Sequence, residues 1–419
     1  MWTKSSAGEL NGPNRMPTSY RWIVLAVAVF AFMQTHLHRM AFTPLIPRFV
    51  VDLGLTYAAA GAIQTSYLWS YAIAQIPVGI VADRWGTRPV MIVSTTLLAL
   101  GALTFAASSG FAETVLARMV VGLGAAAIWV PAMRLIRDWF PSGELARAIG
   151  LLSGGGAIGG TAALLVIPAL ASRWDWRVAY GSTALPALVT IGLIALFAKP
   201  RQSASVTARG PKQHLRSLLG SRDLWPLNVA MFCSYGAYFS VLTYLPAVLV
   251  RQFGASEPQA GAVTALITFG SILSWPIAGF LSDHLRQRRP LFLVSEGVNI
   301  AVCLLFALAG PRLGLPGAAF VIAMMGLLLG GTILPSVIVV EVFPAELALP
   351  ALGISNVACF VGGVAFTMLL GYLVDVTGGF AAMFVAAAEI HFAAFAVGIF
   401  LRETGTESAT LAPPRQFLA

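Results

Sequence analysis

"GIVADRWGTRP" (residues 79–89) and "GFLSDHLRQRRP" (residues 279–290) lie 200 residues apart and share one frame, Gly79 with Asp83 in the first and Gly279 with Asp283 in the second. A second pair, "FPSGELARAIG" (140–150) and "FPAELALPALG" (343–353), follows in the same order at an offset of 203. Each member of that pair places a Gly ten residues after the Phe of a Phe-Pro step. Two matches in one order identify an internal duplication, so the repeating unit is half the chain.

What repeats is apolar. Of 419 residues 58% are hydrophobic and 10% charged, against roughly 25% charged in a soluble domain. A hydrocarbon core about 30 Å thick takes roughly 20 apolar residues per helix. Twelve such stretches run approximately over 22–48, 58–81, 90–109, 113–136, 147–171, 178–198, 224–250, 259–281, 290–309, 316–340, 347–374 and 379–401. The pattern predicts an all-α integral membrane protein of twelve transmembrane helices in two pseudo-symmetric six-helix bundles. Its divisions are a tail (1–21), a first bundle (22–198), a linker loop (199–223), a second bundle (224–402) and a second tail (403–419).

The polar first twenty residues hold no short apolar region with a small-residue cleavage site, so the first span is expected to serve as its own targeting signal. Cys233, Cys303 and Cys359 all fall inside spans and read as small hydrophobes rather than a disulfide framework. The net charge of +9 reports topology rather than a nucleic-acid partner. With both termini on one side, that side collects eighteen Lys and Arg, and the other only Arg48, Arg173, Arg177, Arg251 and Arg312. By the positive-inside rule both termini are expected in the cytoplasm, in a multi-pass plasma-membrane protein, the inner membrane of a bacterium.

Two six-helix halves in parallel repeat are a transporter architecture, with the substrate expected near the bilayer midplane between the bundles. The residues resemble the major facilitator superfamily over about 20–402: "GIVADRWGTRP" is similar to its signature loop between helices two and three, and "RMVVGLG" (Arg118, Gly122, Gly124) to its helix-four motif. In that loop Gly79 permits close helix approach, Asp83 can accept hydrogen bonds from a helix N-terminus in the other bundle, and Arg84 and Arg88 face the cytoplasm. Gly79, Asp83, Arg84, Gly86, Arg88 and the repeat's Asp283 are therefore expected to gate. The resemblance implies that Asp83 docks near the start of span eleven. The bland alternative for Arg84 and Arg88 is that they only obey the positive-inside rule.

Three cations remain inside spans: Arg39, Arg118 and Arg134. An arginine at the bilayer centre costs ~2.5–3.5 kcal/mol or more and needs a partner, a cavity or a function. Arg39 shares a helix face with Thr35 and Thr43. Counted from Trp22 it lies about 25 Å along the axis, where it can either face a cavity or snorkel to the far interface. "RMAFTPLIP", with Pro47 eight after Arg39, resembles the end of helix one in organophosphate and organic-anion members, and "PAMRLIRDWFPSGELARA" (131–148) resembles the end of helix four in anion:cation symporters. The resemblance implies that Arg39 and Arg134 meet an anionic substrate. Arg118 reads either as a structural partner of Glu113 or as a coupling residue.

Departures from the family bound the substrate. Organophosphate porters carry a second arginine early in helix seven and a lysine in helix two; span seven here has no cation and Gln75 stands where that lysine aligns. The arginine of nitrate porters in span eight and the span-eleven lysine of the oxalate:formate exchanger are missing too. "SGGGAIGG" (153–160) lacks the Gly-Pro of drug/proton antiporters and reads as close helix packing.

Polar stripes complete the candidates. Gln64, Tyr71 and Gln75 share a face of span two with Tyr67 at its edge; Thr264, Thr268, Ser271 and Trp275 do so on span eight; Tyr235 and Tyr238 are neighbours on span seven. Each stripe faces either a cavity or a neighbouring helix. His38, with His36 second, occupies the place where related symporters often carry an acid, and histidine titrates near neutral pH. Glu296 and Glu389, in spans nine and twelve, read as interhelical pairing. No Walker loop, metal-ligand cluster or nucleophile elbow occurs, so no cofactor, no metal and no enzyme activity are expected. The reading is a secondary transporter of a small organic anion, a carboxylate, working by alternating access on an ion gradient or by exchange, as symporter or antiporter, with Arg39, Arg134, Tyr71, Gln75, Tyr235, Tyr238, Gln64, Tyr67 and Ser271 around the substrate and no oligomer required. Proton-coupled efflux of amphipathic compounds is the alternative in transport, and a transporter-like membrane sensor the alternative of another class.

Overall fold

The computed structural model describes residues 19–198 and 218–405. Expectations for 1–18, for 199–217 of the linker and for 406–419 lie outside the described residues. The first half runs α1 (Tyr20–Met40), a 3-10 turn (Thr43–Leu45), α2 (Ile46–Asp52), α3 (Tyr57–Trp85), α4 (Thr87–Ala106), α5 (Phe111–Ala126), α6 (Trp129–Trp139), α7 (Ser142–Arg173), α8 (Trp176–Gly181) and α9 (Ala184–Phe197). The second runs α10 (Leu224–Phe253), α11 (Glu257–Leu285), α12 (Arg289–Ala309), α13 (Gly314–Leu328), α14 (Leu334–Val342), α15 (Ala345–Thr377) and α16 (Ala381–Gly398).

Ten described stretches are long and apolar enough to cross a membrane. One of these, Arg289–Val342, spans 54 residues, about 80 Å at 1.5 Å per residue, and therefore holds two crossings. α3, 29 residues long, supplies the twelfth. Several crossings are broken. The first passes from α1 to α2 through the 3-10 turn that carries Pro44, and the tenth from α13 to α14 through a 3-10 turn (Leu329–Ile333) with Gly330, Gly331 and then Pro335. The fourth breaks between α5 and α6, ahead of Pro131, and the sixth between α8 and α9. Even-numbered crossing puts Ser19 and Gly405, the ends of the described segments, on one face, called here the terminal face, with the far face opposite.

The duplication is visible in the backbone. Gly86 joins α3 to α4 at φ 84° and Arg286 joins α11 to α12 at φ 52°. These positions are 200 residues apart, and a positive φ survives at both although only one is glycine. Gly159 and Gly362 repeat in the same way. A Cβ at Gly159 would collide with the Met33 carbonyl, and one at Gly362 with that of Phe232, so spans five and eleven press against spans one and seven through equivalent glycines. Around Gly159 the expected packing role of "SGGGAIGG" is met, with Gly155 against Val29 and Gly156 against Phe32 and His36. All three cysteines are free and buried.

The two halves hold each other on the far side. Asp375, at the end of α15, accepts from the Tyr57 and Ala58 N–H groups at 2.7 and 2.8 Å and so caps the N-terminus of α3 across the seam. Tyr244 donates to Tyr57 O or Thr367 O, Arg48 pairs with Glu257 at 2.5 Å, and Thr161 meets Thr268 at 3.1 Å. These bonds between the halves gather toward the far face. Toward the terminal face Pro77, Trp85 and Trp275 are exposed instead. The halves are thus bonded to each other on the far side.

Candidate substrate site between the two bundles

Arg39 lies at the seam. Its guanidinium carbon is 5.2 Å from the ring centre of Tyr71, 5.8 Å from that of Tyr67 and 5.8 Å from that of Phe360, which belongs to α15 of the other half. Tyr235, on α10, is also within its electrostatic reach. Aromatic faces stabilise a cation that has left water. The side chain is only 8% exposed, so it does not snorkel to the far interface. Of the two placements that its distance from Trp22 left open, the buried one holds because the first crossing continues to Asp52. Arg39 is thus in the middle of a 33-residue segment.

A pocket of about 200 Å³ adjoins this cage, lined by residues that include Ser234, Tyr235, Tyr238, Trp275, Asn356 and Phe360. Tyr71, Phe360, Tyr235 and Tyr238 form a chain of rings from the Arg39 side to the pocket, with centroids 5.3, 6.1 and 6.3 Å apart. Of the expected substrate residues, Tyr67, Tyr71, Tyr235 and Tyr238 are therefore together with Arg39. Gln75 is half-buried one turn beyond Tyr71. Arg134 is half-buried on α6, in electrostatic contact with Asp138 one turn on.

Gln64 and Ser271 are elsewhere. Gln64 is wholly buried inside the first bundle, where its amide oxygen accepts from Arg118 at 2.6 Å and its nitrogen donates to Arg39 O. Arg118 also donates to His38 O at 2.8 Å and to Tyr180 Oη at 3.0 Å. The expected pairing of Arg118 with Glu113 is corrected: Glu113 is exposed and caps Ser109 instead. Gly122 and Gly124 let α5 approach this network, since a Cβ at the first would collide with Tyr67 O and at the second would meet Ser94 O. Ser271 donates to its own helix at Thr268 O, 2.7 Å away.

Neither N-terminal histidine borders the pocket. His38 is wholly buried, its Nδ1 bonded to Gln34 O at 2.8 Å and its backbone carbonyl taken by Arg118. His36 meets Thr35 Oγ1 at 3.0 Å and packs on Gly156 of α7. Sequence reasoning missed Phe360, Ser234 and Asn356. The last two carry a usable signal, being polar side chains in otherwise apolar spans.

At the terminal face the two signature loops differ. Positions of the Gly79 and Asp83 side-chain sites lie outside the described residues. Arg84 is exposed, and Arg88 donates to Ala195 O at the end of span six. In the repeat, Arg288 binds Asp283 at 2.5 Å and Glu341 at 2.9 Å, and Glu403 accepts from the Arg288 and Arg289 N–H groups. Burial opposes the Arg288 charge, but the bonds to Glu341 and Asp283 prevail and raise its pKa above the ordinary value. Asp283 is thus held within its own half.

The Major Facilitator Superfamily profile matches residues 24–254 and 227–417. The chain belongs to this superfamily. It is 25% identical over 400 residues to a hexuronate transporter of Bacillus subtilis (strain 168), covering 90% of this chain and 94% of that one. It is 24% identical over 396 residues to a probable sulfoacetate transporter, SauU, of Cupriavidus necator, covering 86% and 89%. Among solved structures a bacterial homolog of the human lysosomal transporter Spinster, in an inward-facing and occupied conformation, superposes with TM-score 0.77 at 16% identity, covering 96% of this chain and 100% of that one. As a superfamily member the protein is a multi-pass secondary transporter of a small molecule, not an enzyme.

Proposed function

We propose that the protein moves a small organic anion, a carboxylate, across the membrane by alternating access between its two bundles, with Arg39 receiving the negative charge. The observation that carries this reading is the Arg39 cage: a guanidinium at the seam, flanked by aromatic rings from both halves, with no carboxylate bonded to it among the described residues. Tyr71, Tyr235 and Tyr238 orient the rest of the molecule, Gln75 contributes an amide, and Arg134 meets the anion on its way to the terminal face. That two similar transporters are named for hexuronate and for sulfoacetate, both anions, supports the same class.

The excess of Lys and Arg on the terminal side supports a cytoplasmic terminal face in a bacterial inner membrane. Gly79, Asp83, Arg84, Gly86 and Arg88 would then latch the cytoplasmic gate when the far side opens. The test is uptake of labelled D-glucuronate and sulfoacetate into proteoliposomes, with Arg39→Ala beside the wild type. Uptake that disappears in the variant supports the reading. Indifference to both anions, with flux of an amphipathic cation instead, would transfer support to the efflux alternative.

A further inference from the structure

The second bundle hides an acid. Glu296 on α12 and His391 on α16 are both wholly buried, with Glu296 Oε2 2.7 Å from His391 Nδ1. Ser234 on α10 donates to the other carboxylate oxygen, Oε1, at 2.5 Å. Ser234 also lines the central pocket, so one hydroxyl separates the buried carboxylate from the space through which substrate passes. His391 Nε2 has no hydrogen-bond partner, and neither do the two amide atoms of Asn299, one turn along from Glu296.

No lysine or arginine is bonded to this pair among the described residues. The groups that face it are Cys233 from α10, Cys303 from α12 itself and His391 from α16. On the neighbouring elements Glu389 is exposed on the other side of α16, and Glu341 of α14 is taken by Arg288 and Thr404. With a neutral imidazole the pair carries an uncompensated negative charge in a medium that penalises one heavily. One added proton makes it neutral. A site whose charge depends on a single proton, one hydroxyl away from the transport path, has the chemistry of a coupling site.

We propose that the Glu296–His391 pair is the proton-binding site that drives transport, loaded and emptied through Ser234. In loading, Ser234 Oγ passes its proton to Glu296 Oε1 and at the same time takes one from a hydronium ion in the pocket, which leaves as water; emptying is the reverse. The pair moves as part of the second bundle, so alternating access presents the same hydroxyl first to one side and then to the other. Ser234 adjoins Tyr235, which faces Arg39. An anion drawn to Arg39 therefore favours the protonated pair, and the two ions travel in the same direction. This rests on the transport reading above, deepens it by naming the coupling ion, and assigns coupling to the second bundle rather than to His38 or His36.

The test uses wild type, Glu296→Gln, His391→Gln and Ser234→Ala in proteoliposomes, with D-glucuronate as probe. Wild type should accumulate it above equilibrium when the outside is made acidic. Glu296→Gln should lose that accumulation while keeping counterflow of labelled against unlabelled D-glucuronate, which needs no net proton movement. Gradient-driven accumulation that survives in Glu296→Gln overturns the proposal. If wild type shows no counterflow, the carboxylate reading fails on its own, and proton uptake by purified protein without substrate decides the site: a pH indicator should report one proton fewer in Glu296→Gln, and an unchanged titration overturns it. Should Glu296→Gln not fold, His391→Gln takes its place in both measurements with the same two outcomes.

Discussion

The interiors of the two bundles bury different ionisable groups. In the first, Arg39 and Arg118 are buried with His38 and none of the described carboxylates is; in the second, the carboxylate of Glu296 is buried against His391, and the buried arginine, Arg288, lies at the terminal face on its own acids. The halves descend from one repeat, with equivalent glycines at 159 and 362 and equivalent loop turns at 86 and 286. A shared backbone has thus been filled with different chemistry, in keeping with an anion received on one side of the seam and a proton on the other. Within the first bundle a second contrast holds: Arg118 is spent on three neutral acceptors, whereas Arg39 is held mainly by rings.

Substitutions can break this contrast. Arg39→Ala should cost about 2–5 kcal/mol of D-glucuronate binding, the usual loss when one partner of a desolvated charge pair is removed, with little change in melting temperature. Calorimetric titration beside a melting curve checks both. Arg118→Ala should do the reverse, costing ~3 kcal/mol or more of stability, because each hydrogen bond from a charged group contributes ~1.5–3 kcal/mol. Equal effects of the two on binding would erase the distinction between them.

Smaller effects probe the seam and the repeat. Asp375→Ala removes the carboxylate that caps α3 from the other half and should shift the balance toward a far-open form by about 1–2 kcal/mol, read from spin-label distances across the far face. An unchanged distance distribution would show that Tyr244 and Arg48 suffice. Arg286→Gly should stabilise by about 1 kcal/mol, since a left-handed backbone suits glycine, and Gly86→Ala should destabilise by about 1–3 kcal/mol.

Much of this was legible in the sequence. The duplicated loop and the twelve apolar stretches set the architecture, because crossing a bilayer demands helices of one length and composition. The tyrosines at 67, 71, 235 and 238 declared themselves by spacing. Arg39 did not, since the 3-10 turn at Thr43–Leu45 carries the first crossing on to Asp52 and moves the midpoint. Gln64 shared a helix face with Tyr71 but turned inward, because Arg118 needed an acceptor and no acid was near. Glu296 was expected to pair between helices and does so; its partner His391, 95 residues away, was hidden because nothing in local periodicity links spans nine and twelve.

The most direct test of the account compares two ligands of nearly the same shape, D-glucuronate and D-glucose, in melting curves of wild type and Arg39→Gln. A ligand at a hundred times its dissociation constant adds about 2.7 kcal/mol of stability. D-glucuronate should stabilise the wild type, D-glucose should not, and Arg39→Gln should abolish the difference. Stabilisation by D-glucuronate that persists undiminished in Arg39→Gln would contradict it.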